Sequence, residues 1–110
     1  MSLVTYTVVA TLPDAATRDR YLAWLAGGHV QEVIAGGALS AAVVRIDDPC
    51  PPYVCEARYL FPDAETLELY LRDHAPKLRA QGLALFGDSG VTFKRSVGMQ
   101  TFPAKGEPGA

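Results

Sequence analysis

The chain repeats one local pattern twice, and that repetition limits the folds open to it. A run of β-branched and aromatic residues ends at Pro-Asp, a helix-forming stretch carrying a histidine follows, and glycine then leads into a second apolar run. The first copy is Leu3 to Leu12, Pro13-Asp14, a helix from Ala15, Gly36-Gly37, and the run from Ala38 to Ile46. The second is Tyr53 to Phe61, Pro62-Asp63, a helix through Leu67, Tyr70, Leu71 and His74 with Pro76 marking a new start, a turn at Gly87 to Gly90, and Val91 to Met99. Proline supplies no ladder donor and stops each strand. Asp14 and Asp63 are suited to cap the helices that follow. The order is therefore β-α-β-β-α-β, the ferredoxin-like arrangement. It implies an α+β fold with a four-stranded antiparallel sheet and, because crossovers are right-handed, both helices on one face.

The copies also correspond within their helices. Trp24-Leu25, His29, Val33 and Gly36 match Tyr70-Leu71, His74, Leu78 and Gly82, with one residue of slippage around each histidine. At ~100° per residue, Leu22, Leu25, Ala26, His29 and Val33 form one stripe facing the core, and Trp24 points away from it. The stripe holds if the helix survives Gly27-Gly28, where each glycine costs roughly 1 kcal/mol relative to alanine. A break there leaves His29 at the start of a second short helix.

Strand three alternates, with Tyr53, Cys55, Ala57, Tyr59 and Phe61 on one face and Val54, Glu56, Arg58 and Leu60 on the other. Ala38 to Ile46 is apolar almost throughout, which suits a strand covered on both faces. Strands two and four present Val43, Val44, Ile46, Phe93, Val97 and Met99 on more than one face. Exposed together they make a patch that soluble monomers avoid, so a homodimer packed sheet against sheet is expected.

A chain of 110 residues makes one domain, here over 1–102, with a flexible Pro/Gly-rich tail over 103–110. A net charge of −2 gives no case for nucleic acid as a partner. No apolar run approaches the ~20 residues of a membrane span, the N-terminus has no basic leader, and the expected location is cytoplasmic. Cys50 and Cys55 form a single C-x4-C without a second pair, so they read as reduced thiols and no metal site is expected. No phosphate-cradling or dinucleotide-binding glycine loop is present, and no cofactor is expected.

The residues with chemistry to offer are few. His29 and His74 lie on apolar helical faces, where a histidine can act as a general base or orient a carbonyl. His29 is the candidate catalytic residue; its bland alternative is a buried neutral imidazole bonded to a backbone carbonyl. For His74 the bland alternative is satisfaction of backbone groups freed at Pro76. Tyr6, Trp24, Tyr59, Tyr70 and Phe93 read either as core or as the wall of an aromatic-substrate pocket. Arg45 is a candidate to polarise a substrate oxygen, or to pair with Glu56, for which Arg58 is the other partner. Arg79 reads as a carboxylate holder near His74 or as a solvated flank. The candidate substrate-binding set is therefore Tyr6, Trp24, Arg45, Tyr59, Tyr70 and His74.

With this order and these residues, the chain resembles the dimeric α+β-barrel superfamily from Val4 to Met99. More closely it is similar to a family of small bacterial proteins of unknown function, with a tryptophan and histidine in the first helix and a segment like His74-Ala75-Pro76-Lys77-Leu78-Arg79 running on to Gly87-Asp88. The resemblance implies two sheets closing a barrel across a dimer, and a small pocket between sheet and helices. Members include cofactor-independent monooxygenases, muconolactone isomerase-like enzymes and haem-handling proteins, and fold does not choose among them. The expected function is binding of a small, partly aromatic or ketonic molecule, with His29 transferring a proton in an enzymatic version. A non-catalytic metabolite-sensing or interaction module is the alternative, and haem ligation through His29 a third reading.

Overall fold

A computed structural model describes residues 2–102 and 106. The tail expected over 103–110 lies outside the described residues apart from Gly106. The elements are β1 (Val4–Leu12), α1 (Ala15–Trp24), a wide π-type turn (Leu25–His29), α2 (Val30–Ala35), β2 (Ser40–Ile46), β3 (Tyr53–Phe61), α3 (Ala64–Asp73), α4 (Ala75–Phe86) and β4 (Thr92–Met99). The sheet order is β2-β3-β1-β4, all pairs antiparallel, with the helices on one face. This is the ferredoxin-like α+β fold.

Both Pro-Asp signals work as caps. The Asp14 carboxylate accepts from the Thr17 N–H and the Asp63 carboxylate from the Thr66 N–H, each at 2.7 Å. Those bonds hold both carboxyls below the usual carboxylate range.

Register decides which side chains meet the helices. Tyr6 faces Tyr59 across β1 and β3, with Val4 beside Phe61, Ala10 beside Cys55 and Leu12 beside Tyr53. All of these are buried except Tyr53, which is half-buried. One buried cluster gathers Tyr6, Tyr59, Phe61, Tyr70, Val33 and Leu78. A second gathers Leu12, Tyr21, Leu25, Cys55 and Phe86.

Both sheet edges are open in the single chain. β2 is an outer strand, not one covered on both faces, and its residues are exposed or half-buried. On the other edge Val97 is 60% and Met99 65% exposed, although register puts both on the helix side. The helices pack mainly over the two central strands and reach the outer ones only in part, at Ala41 of β2 and at Phe93 of β4, whose ring lies 6.0 Å from that of Tyr21.

The first helix corrects the stripe. The break falls at Gly27-Gly28, where Gly28 takes φ 138° inside the wide turn, a backbone conformation that costs glycine little and other residues much. Beyond Leu25 the ~100° step no longer applies, so Ala26 is exposed while Leu25 and Val33 remain buried. Trp24 does not point away. It packs inward against Tyr21, with centroids 5.9 Å apart, and Phe86, at 5.7 Å, because α4 covers the flank of α1 that helical periodicity alone assigns to solvent.

Candidate functional site

Between sheet and helices lies a partly open cavity of about 160 Å³. The strands contribute Tyr6, Tyr59, Phe93 and Arg95; the helical layer contributes Trp24, His29, Tyr70 and Arg79. It opens at the seam between the two buried clusters, where the half-repeats of the fold meet.

His29 enters this wall because of the glycine turn. The wide turn ends at the histidine, and the ring comes to lie on Trp24, centroids 4.0 Å apart and planes inclined by 26°. Trp24 in turn needs Gly82. A Cβ built on Gly82 meets Trp24 Cη2 at 3.2 Å, so the helix gives up a side chain where the indole lies. Histidine, tryptophan and glycine thus meet from two separate stretches of sequence, the end of the first helix with its glycine turn and α4.

The electrostatics of the site follow from its dryness. Burial pulls the His29 imidazole below its usual 6.5, with Glu32 working weakly the other way. His29 Nδ1 is buried and finds no hydrogen-bond partner among the described residues. The backbone-bonded imidazole expected as the bland alternative is therefore not what the structure holds. Burial also pushes the Tyr21 and Tyr70 hydroxyls up to about 12, and the Tyr59 hydroxyl further. These phenols stay protonated at any physiological pH and can donate. The Tyr6 hydroxyl accepts from Arg79 Nη2 at 3.0 Å.

The structure brings together His29, Tyr6, Trp24, Tyr59 and Tyr70 from the candidate set and leaves two members out. Arg45 sits on outer strand β2, where its guanidinium pairs with Asp47 at 2.7 Å. It shares the helix-side face by register with Cys55, yet the cavity lies over β3, β1 and β4, on the side of the sheet away from β2. Glu56 pairs with Arg58, two residues along the same strand, at 2.9 Å rather than across strands. His74 is exposed at the α3–α4 junction and borders a separate shallow depression with Glu32, Asp73 and Lys77. Its ring runs parallel to that of Tyr70, centroids 6.2 Å apart, but without a glycine pair before it no wide turn carries it into the cavity. Arg79 reaches Tyr6 instead of the neighbourhood of His74. Arg95 was not singled out from sequence; an arginine interrupting the apolar alternation of Phe93, Val97 and Met99 is the signal that marks it.

Residues 3–100 match a family described as a domain of unknown function, DUF4286. The chain belongs to the DUF4286 family. No curated protein matches this DUF4286 chain. Among solved structures, a dimeric ferredoxin-like protein from an uncultured marine organism is similar at TM-score 0.77 and 16% identity, covering 94% of this chain and 100% of that one. A monooxygenase of Streptomyces coelicolor, crystallised with nanaomycin D, is similar at TM-score 0.74 and 11% identity, covering 96% and 94%. SnoaB, a cofactor-independent oxygenase from Streptomyces nogalater, is similar at TM-score 0.63 and 13% identity over 100% of both chains. Such identities establish a shared fold with the DUF4286 chain. Among the described residues no helix is long and apolar enough to cross a membrane.

Size narrows the chemistry of the cavity. Apolar cavities of ~150 Å³ hold benzene, so about 160 Å³ suits one ring with a small substituent. A haem macrocycle is larger than this volume and would extend out through its open side.

Proposed function

We propose that this chain binds a small, partly aromatic or ketonic molecule in the cavity, and that His29 moves a proton to or from it without a cofactor. One observation carries the reading: a buried imidazole nitrogen without a protein partner, on a residue that walls a cavity. Leaving such a group unpaired costs about 1–3 kcal/mol, and because Nδ1 has no surface open to the cavity a ligand recovers that cost with a turn of the ring. The depressed pKa supports the role, since the neutral imidazole is the form that accepts a proton.

The step is simple in atoms. A ketone α-C–H or a phenol O–H held at His29 gives its proton to the imidazole and keeps the electron pair as enolate or phenolate. The imidazolium returns the proton in reverse. Tyr59 and Tyr70 line the cavity and are kept protonated by burial, and in this reading they supply the donor for the ligand oxygen. That one similar fold is a cofactor-independent oxygenase supports, by analogy, chemistry done on the substrate's own carbanion or phenolate.

Acetophenone carries both features and tests the proposal. Incubated with the protein in D2O and followed by proton NMR, its methyl group is expected to exchange faster than in buffer, and His29→Ala to lose at least ~100-fold of the acceleration. Equal exchange with and without His29 removes the proton-transfer role. Binding without exchange would instead favour a non-catalytic metabolite-binding module.

A homodimer belongs to the same proposal. The exposed apolar residues Val43, Val97 and Met99 lie on the two outer strands, and a similar solved structure is described as dimeric.

A further inference from the structure

The seven arginines of this chain fall into three sets, one of them Arg20 alone, which donates to the Thr17 hydroxyl at 3.2 Å away from the cavity. Arg18, Arg45, Arg58 and Arg72 each pair with an acid one or two residues away, at 2.7–3.1 Å. Arg79 and Arg95 border the cavity, and among the described residues neither has a carboxylate within 4.0 Å. The cavity wall as a whole contains two guanidiniums and no Asp or Glu. Both residues are exposed where they border the cavity, so their charge is solvated, but an anion entering there meets two cations and no carboxylate of the wall.

From this we infer that the natural ligand of the cavity is an anion, a single aromatic ring bearing a carboxylate that is held by Arg79 and Arg95. The inference rests on the cavity being a ligand site and adds the class of ligand it takes. Three features of the geometry agree on that class. The volume accommodates one ring. The wall includes the aromatic rings of Tyr6, Trp24, Tyr59 and Phe93, which suit a ring-bearing ligand. The guanidinium fork matches a carboxylate with two parallel N–H···O bonds, which an ammonium cannot do.

Tyr6 explains how Arg79 is held ready. Its hydroxyl occupies one N–H of the guanidinium at 3.0 Å but, being neutral, cancels none of the charge. An arginine has five N–H donors, so the fork keeps donors for an incoming carboxylate. Arg79 projects from α4 and Arg95 from β4, so the two cations approach the cavity from opposite layers. A carboxylate between them is clamped between helix and sheet, and its ring is directed inward towards Trp24 and His29.

Trp24 is the only tryptophan in the chain and lies in the cavity wall, so its fluorescence reports occupancy directly. Benzoate and its uncharged isostere benzyl alcohol are titrated against the full chain. The expected result is that both perturb the Trp24 emission and that benzoate binds at least tenfold more tightly. In Arg79→Gln and Arg95→Gln that preference falls towards unity, while Arg79→Lys, which keeps the charge but not the fork, retains part of it. Far-UV circular dichroism on each variant confirms that it is folded. Equal affinity for benzoate and benzyl alcohol in the unaltered protein overturns the anion assignment and leaves the cavity as a site for neutral ligands. A benzoate preference that survives both arginine-to-glutamine changes overturns the role of these residues. If neither compound perturbs Trp24, the ligand-site reading fails and the anion assignment fails with it.

Discussion

His29 carries its consequences into solution through its lowered pKa. The unfolded chain protonates near the ordinary 6.5, whereas burial makes the folded chain resist the proton. The unfolded state then binds more protons as pH falls through 6.5, so this histidine's contribution to stability is full above that value. It is lost as pH drops towards the folded pKa, and the loss levels off below it. Thermal melts between pH 8 and pH 5 are expected to show a falling melting temperature, with a shallower slope in His29→Gln. An unchanged slope in that variant would mean that the imidazole is not buried in its neutral form. The histidine was legible as a candidate because the sequence has only two and one lies on an apolar helical stretch. Its stacking on Trp24 was not legible, because it depends on Gly82, far along the chain, making room for the indole.

Among the elements, the two glycines of the site do opposite things, and substitution separates them. Gly28 holds φ 138° with nothing within 4 Å of a built Cβ, so the penalty for Gly28→Ala is conformational rather than steric. A loss of about 1–3 kcal/mol is expected, read as an earlier thermal or urea transition, together with weakened ligand binding as His29 leaves the cavity wall. Gly82→Ala is different. The helix gains roughly 1 kcal/mol from the better helix former, while the new methyl group at 3.2 Å from Trp24 forces the indole to shift by a few tenths of an ångström. Little net change in stability is expected, with a shifted Trp24 emission and weaker binding in the cavity. Strands, caps and the α3–α4 break could be read from the sequence because Pro-Asp pairs, period-two alternation and Pro76 each act locally. The inward turn of Trp24 could not, because periodicity ranks the faces of an isolated helix and α4 adds a second neighbour. The place of Arg45 failed for a related reason: alternation gives a strand's face but not its position in the sheet.

For the molecule as a whole, the question is what covers the outer strands. Val97 at 60%, Met99 at 65% and Val43 at 40% exposure lie on edge strands that the chain's own helices cover only in part. Edge strands left apolar and open invite pairing with another chain, and a symmetric dimer is the ordinary resolution. Light scattering behind size exclusion is expected to give twice the 11.8 kDa chain mass, and Val97→Lys combined with Met99→Lys to shift the protein towards monomer. A monomeric mass in the unaltered protein would refute the dimer and leave the edges unexplained. The fold itself was accessible at this scale because the half-repeat fixes element order and handed crossovers fix the layers. The cavity was not, since its wall joins residues of both helical stretches and three strands that are far apart in the chain.

The central claim is that His29 serves the cavity and His74 does not, and the two imidazoles provide their own control. Nitrogen-15 spectra of both rings, recorded while acetophenone is titrated into the protein, test it most directly. The account expects the His29 Nδ1 resonance to move in step with ligand occupancy while the His74 resonances stay in place. A titration in which Trp24 reports binding but His29 stays still, or moves no more than His74, would contradict it.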